Sequence, residues 1–378
     1  MKCPRCLNQD KTYFYKGSKG WLCRRCIQFK RQLLEEDKTV ANIEVGQDSS
    51  EYTLKYPLTN AQLVISHQCL ASLKQKRDVF IDAVCGAGKT ELVIESISYY
   101  LKQRKCVALA IARRQVVLDL KRRLENIFLN AKVIAVCQDY TEDLVGDLII
   151  CTTHQLYRYP KTFDLLILDE PDAFPYKGNE VLAGIVQTSC KGEMIFLTAT
   201  PDDYLTERLR LKNITHLKLN RRPHNHDLPV PRLIVSPTIL LLLFLIDWVV
   251  KRESSILIFT PTIRISKYLY VLLSCIVRVK VCTSKTVNKD EIIEDFRNKK
   301  FRCLIATTIL ERGVTIEGID VCVFYANHGV FDVASLIQMS GRVGRSFKYP
   351  TGDCLFLSNA KSSIVNECIH VCKEANHG

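Results

Sequence analysis

No apolar run in this sequence is long enough to cross a bilayer. The longest, Ile239–Ile246, is cut off by Asp247. It falls well short of the ~20 residues a membrane helix needs. It reads as a buried helix, and any membrane contact is expected to be peripheral. The N-terminus, Met1-Lys2-Cys3-Pro4, offers no apolar signal segment. Internal repeats and low-complexity tracts are missing, so the chain is not a repeat array. Acidic residues are outnumbered, with 40 Asp and Glu against 53 Lys and Arg, a net charge of +13. That excess favours a polyanionic partner, because each neutralised phosphate releases condensed counterions.

Cysteine is abundant, at 17 of 378 residues. Four lie in two tight pairs. The rest are scattered, mostly inside apolar runs such as Ile149–Cys151 and Val321–Val323, and read as reduced core thiols of a cytoplasmic protein. The length exceeds one ordinary core and suits two domains with an appendage.

Residues 1–30 are rich in cysteine and lysine, and 31–52 are polar and acidic, a helix end and linker. Across 53–205, short apolar runs alternate with helical stretches such as Gln115–Phe128. The runs are Val79–Ala83, Val107–Ala112, Val133–Val136, Leu148–Cys151, Leu165–Leu168 and Met194–Leu197. Continuously apolar strands alternating with helices predict a parallel sheet covered on both faces. Residues 206–237 are basic and broken by Pro223, Pro229, Pro231 and Pro237, and read as an interdomain connection. The alternation resumes over 238–378. Strands are expected at Ser255–Phe259, Cys303–Ala306, Val321–Tyr325 and Asp353–Leu357, with helices near Thr238–Lys251 and Ala334–Met339.

Strand Val79–Ala83 runs into Val84-Cys85-Gly86-Ala87-Gly88-Lys89-Thr90 and then a helix, the context a phosphate-binding loop requires. Gly86, Ala87 and Gly88 would turn backbone amides toward phosphates at a helix N-terminus. Lys89 would reach the β- and γ-phosphates of ATP, and Thr90 would hold Mg²⁺. Ala83 stands where the strict pattern has glycine. The apolar strand Leu165–Leu168 ends in Asp169-Glu170-Pro171-Asp172, at the strand end where open α/β sheets bind ligands. Asp169 would hold Mg²⁺ and Glu170 would polarise the attacking water.

Gly86–Thr90, Asp169–Asp172, Thr198-Ala199-Thr200 and Gln338–Arg345 (QMSGRVGR) occur in the order found in superfamily 2 helicases, which the chain resembles over about 53–360. The resemblance implies two tandem RecA-like α/β lobes with ATP in the cleft between them. It places Gln62, in Leu58–Gln62, on the adenine base. It places Gln338, Arg342 and Arg345 on the γ-phosphate, where a guanidinium stabilises charge on the transferring phosphoryl group. The leading cysteine pairs, Asp169–Tyr176 (DEPDAFPY) and Leu310–Thr315 (LERGVT) resemble more closely the ComFA family of competence proteins. Relatives usually carry a valine-like residue at Pro171, and many RNA helicases carry aspartate at Thr315. This likeness implies an ATPase on single-stranded DNA that drives DNA import during transformation. It also implies peripheral association with a membrane uptake channel and other competence proteins. An ATP-gated DNA-binding scaffold retains the same motifs. So does a replication-restart helicase, although there the cysteines interrupt the second half.

Cys3-x-x-Cys6 and Cys23-x-x-Cys26, 16 residues apart, can close a tetrahedral zinc site in a small zinc-ribbon-like module. Around them lie Lys11, Tyr13, Tyr15, Lys16, Lys19, Trp21, Arg24, Arg25, Lys30 and Arg31. The aromatics either stack on bases or pack over the zinc site. The resemblance sets Arg113, Thr152, Thr153, Thr260, Thr307 and Thr308 against the nucleic-acid backbone. Threonines at these positions serve equally well as helix caps. No base-reading signature is visible, so sequence-tolerant binding is expected.

Overall fold

The computed structural model describes residues 1–29, 43, 45–46, 49–200, 214–310 and 316–377. The chain divides into two compact units, one of 1–83 with 88–219 and one of 84–87 with 220–378.

The cysteine-rich segment opens the first unit. It forms an antiparallel hairpin, β1 (Phe14–Gly17) and β2 (Gly20–Cys23), followed by a 3₁₀ turn Arg24–Phe29. The large strands of this unit are β3 (Val79–Ala83), β4 (Val107–Ile111), β5 (Val133–Val136), β6 (Leu148–Thr152), β7 (Phe163–Asp169), β8 (Cys190–Thr198) and β9 (Thr215–Leu219). They make a seven-stranded sheet in the order β5-β6-β4-β7-β8-β3-β9. Every pairing is parallel, so all seven C-terminal ends share one edge. The central strands β4 and β6 are buried at every residue, which is why they read as unbroken apolar runs. Helix Asn60–Lys74 starts at a capping box in which Thr59 and Gln62 satisfy each other's backbone amides.

The cysteine-rich hairpin is not a free appendage. Cys3, Cys6, Phe14, Cys23, Cys26 and Phe29 share one apolar core with the large sheet. Helix Glu180–Ser189 lies so close that a Cβ on Gly184 would stand 2.1 Å from the Cys6 carbonyl oxygen. Thr188 Oγ1 donates to Arg5 O at 2.8 Å, and Arg25 pairs with Glu180. The described part of the expected linker is docked as well. Gly46 N donates to Asp147 Oδ1 at 2.7 Å, and Ser49 is fully buried. The helix end expected near residue 31 lies outside the described residues, as do Lys30 and Arg31.

The strands of the second unit are β10 (Arg232–Val235), β11 (Ser255–Phe259), β12 (Val279–Cys282), β13 (Cys303–Ala306), β14 (Ile319–Phe324) and β15 (Cys354–Ser358). They make a six-stranded parallel sheet in the order β10-β15-β14-β11-β13-β12. Ile239–Ile246 lies in helix Thr238–Val250, which is buried on one face only and so corrects the expectation of a buried helix. Leu241, Leu242 and Leu245 pack against this sheet, whereas Ile239, Leu240, Leu243 and Phe244 are exposed. Among the described residues no helix is long and apolar enough to cross a membrane.

The stretch 206–237 is more than a connection. It carries β9, an edge of the first sheet, and β10, an edge of the second. Both are short and only partly covered; β9 alternates polar with apolar residues, and the apolar run of β10 is only Leu233–Val235. Residues 206–213 lie outside the described residues.

Candidate functional site

The phosphate loop follows β3. Gly86 and Gly88 have φ of +83° and +80°, a region closed to most side chains, and helix Lys89–Leu92 begins directly after them. Two strands away in the same sheet, β7 ends at Asp169. Glu170 follows with φ of +54°, a strained value for a non-glycine residue, and is buried. Its amide donates to Leu197 O at 2.8 Å, which fixes the acidic turn to the neighbouring strand.

Asp169 Oδ1 is buried and has no hydrogen-bond partner among the described residues. A buried, unpaired carboxylate oxygen is costly unless a cation is bound there. The donor set of Asp169 with Thr90 fits Mg²⁺, a hard ion that prefers oxygen. Burial pushes the Asp169 carboxyl up to about 7; Lys89 opposes the shift, and Glu170 and Asp172 reinforce it.

Asp172 accepts from Thr198 Oγ1 at 2.5 Å and from Thr200 Oγ1 at 2.7 Å. Pro171 therefore leaves Asp172 aimed at the end of β8. The Asp169–Asp172 turn and the Thr198–Thr200 segment form one hydrogen-bonded body, a link that residue types alone do not reveal. Gln62 spends its Oε1 on Thr59 N at 3.0 Å, which orients its side-chain amide.

In the second unit, helix Val333–Ser340 leads into the turn Gly341–Arg345. Gln338 and Arg342 are buried, and Gln338 Nε2 has no hydrogen-bond partner among the described residues. Arg345 Nε donates to Gly341 O at 2.6 Å.

The expected nucleic-acid residues divide. Arg113, Thr307 and Thr308 are half-buried at strand ends. Thr260 is fully buried: its hydroxyl lies 2.6 Å from Ser266 Oγ and its amide donates to Ala306 O. Thr152 and Thr153 are buried too. The 3₁₀ turn Thr153–Arg158 sits under the cysteine module, where Phe29 stacks on His154 at 6.0 Å and packs near Tyr157. Thr262 caps helix Ile263–Ser274. Lys121 pairs with Glu125, and Arg123 pairs with Glu91, the residue after Thr90. Arg123 is therefore drawn toward the phosphate loop. Glu311–Thr315 lies outside the described residues.

Cys3, Cys6, Cys23 and Cys26 converge, with all four Sγ atoms within 4.8 Å of one another. Cys3–Cys26 and Cys6–Cys23 are 3.7 and 3.8 Å apart. A tetrahedron of thiolates at the usual Zn–S distance has edges of about 3.8 Å. The mutual hydrogen bonds of these cysteines lower the Cys3 thiol and raise that of Cys26, as expected of sulfurs crowded into one cluster. The site fits a structural zinc. Around it, Tyr13 lies against Arg25 and Tyr15 against Arg24, while Trp21 packs on the shared core. The cysteines outside the cluster are free, and all but Cys190 and Cys275 are buried.

The family described as "Type III restriction enzyme, res subunit" matches residues 55–203, and "Helicase conserved C-terminal domain" matches 239–347. Among solved structures, the chain is similar to Saccharomyces cerevisiae Dbp5 bound to RNA and ADP BeF3. That match has a TM-score of 0.64 at 16% identity and covers 84% of this chain and 92% of that one. It is also similar to Mycobacterium smegmatis helicase Lhr bound to ssDNA and AMP-PNP. There the TM-score is 0.65 at 15% identity, over 85% of this chain and 50% of that one. These likenesses give the fold, two RecA-like lobes. Competence protein ComFA of Streptococcus pneumoniae is 34% identical over 97% of this chain and 88% of its own length. ComFA of Bacillus subtilis is 29% identical over 99% and 85%. The chain belongs to the ComFA family of competence proteins, with the ATP-binding architecture of superfamily 2 helicases.

Proposed function

We propose that this helicase-type ATPase is a motor on single-stranded DNA that drives DNA import during transformation. It would work in the cytoplasm, peripherally at the inner face of the membrane beside an uptake channel and other competence proteins. The observation that carries the motor reading is the bond of Asp172 to Thr198 and Thr200. It ties the hydrolytic turn to the end of β8, a direct contact through which hydrolysis would be coupled to movement in a motor.

Lys89 takes the β- and γ-phosphates, and Gln62 reads the adenine. Thr90 and Asp169 hold Mg²⁺, which neutralises phosphate charge when bound. Glu170 orients the attacking water, and Gln338, Arg342 and Arg345 take the developing charge of the γ-phosphate. Arg113, Thr307 and Thr308 hold the DNA backbone without reading bases. The exposed Lys11, Lys16, Lys19 and Arg24 of the cysteine module add sequence-independent attraction.

A motor displaces streptavidin from an end-biotinylated single strand when ATP is supplied, and Lys89→Ala does not. If the protein hydrolyses ATP on DNA yet displaces nothing, it is an ATP-gated scaffold and the motor reading is wrong.

A further inference from the structure

Arg222 belongs to none of the ATP-site motifs, yet it is one of the few buried arginines among the described residues. Its Nη1 donates to Val343 O and to Gly344 O, both at 2.8 Å, and its Nη2 donates to Gly341 O at 3.3 Å. His224 Nε2 lies 2.9 Å from the same Gly344 oxygen. These carbonyls follow helix Val333–Ser340, where backbone acceptors are left without intrahelical donors and the dipole is negative. The guanidinium therefore caps the helix end and closes the turn after it. The turn is tightly held on its other side as well. Gly344 has φ of +67°, and a Cβ there would stand 2.4 Å from Pro350 O.

Gly341 O is also the oxygen that accepts from Arg345 Nε. Two guanidinium groups thus share one acceptor. Burial, with the like charge of Arg345 beside it, brings Arg222 down to about 10. Arg222 stays in place because it holds three further carbonyls, those of Val343 and Gly344 and, through Nε at 2.8 Å, that of Cys85, whereas Arg345 keeps a half-buried side chain bonded to the Gly341 oxygen.

We infer that Arg222 is a positioning residue for ATP hydrolysis, fixing the turn Gly341–Arg345 so that Arg345 is presented to the γ-phosphate. The inference rests on the γ-phosphate role proposed above for Arg345. The hydrogen bonds of the Arg222 guanidinium go to backbone carbonyls, so it acts through the backbone it holds. Lysine cannot replace it, because one ammonium lacks the planar fork that spans four carbonyls.

The test compares Arg222→Lys, Arg345→Ala and the double variant by steady-state hydrolysis and by ADP binding, since ADP has no γ-phosphate. Misplacement of a reacting group by ~1 Å costs about 10²-fold, so kcat of Arg222→Lys should fall by about that factor. ADP affinity should stay within about threefold of wild type, and the double variant should be no slower than Arg345→Ala. Wild-type turnover by Arg222→Lys, losses that multiply in the double variant, or a parallel loss of ADP binding would each overturn the inference. If Arg345→Ala itself hydrolyses ATP normally, the failure lies in the γ-phosphate reading instead.

Discussion

Lys89→Ala is expected to cut ATP hydrolysis by on the order of 10³-fold, the cost of removing a preorganised charge from a phosphoryl-transfer site. Two losses combine in that figure. The ammonium at the first position of helix Lys89–Leu92 no longer neutralises the phosphates. It also no longer steadies Asp169, whose carboxyl is already raised to about 7 with Lys89 opposing the shift. Without that opposition the carboxylate form is favoured less. Lys89 is half-buried and leaves no apolar cavity, so the thermal midpoint should move little. Phosphate release within about tenfold of wild type would place the phosphate site elsewhere.

Removing the metal from the cysteine cluster is expected to unfold the module and strip it from the first unit. Structural zinc supplies about 10–16 kcal/mol in small metal-folded peptides, as much as a whole domain's stability. The module has little else of its own, with two four-residue strands and a 3₁₀ turn. Cys23→Ser or strong chelation should take metal content from about one per chain to none. Amide exchange should accelerate over residues 1–29 and in the turn Thr153–Arg158 and helix Glu180–Ser189 beneath it. The chain has two tryptophans, and Trp248 is held by Asp353 in the other unit. In a Trp248→Phe background, Trp21 emission should therefore shift red as the module leaves the core. Protection and emission unchanged by metal removal would make the four thiols ordinary core cysteines.

The parts of the fold legible in the sequence are those with one consistent environment. Strands β3, β5, β11 and β13 lie where their apolar runs predict, because both faces are covered and hardly a polar residue interrupts them. The edge strands β9 and β10 obey no such rule, unlike β5, an edge strand buried at every residue. β9 reads Thr-His-Leu-Lys-Leu with its polar residues turned outward, and β10 sits between prolines. The candidate site divides the same way. The phosphate loop, the acidic turn and the cysteine pairs are contiguous in sequence, so their chemistry shows in the residue types alone. The bonds from Asp172 to Thr198 and Thr200 cross 26 and 28 positions, and those of Arg222 to Val343 and Gly344 cross 121 and 122. Only the folded sheets bring those partners together. The burial of Thr260 is hidden in the same way, because its residue type says nothing of the Ser266 hydroxyl facing it inside the core. The docking of the cysteine module is equally hidden, since buried Phe14 and Phe29 announce a contact without naming the surface they meet.

Single-stranded DNA is expected to set the rate of hydrolysis, and every role assigned to the two lobes depends on it. The decisive measurement is phosphate release by the metal-loaded chain, with and without a mixed-sequence single strand, over a range of salt. A rate that rises with DNA whatever its sequence, and sinks back as salt weakens binding, is the predicted result. A rate indifferent to DNA at every salt concentration contradicts it.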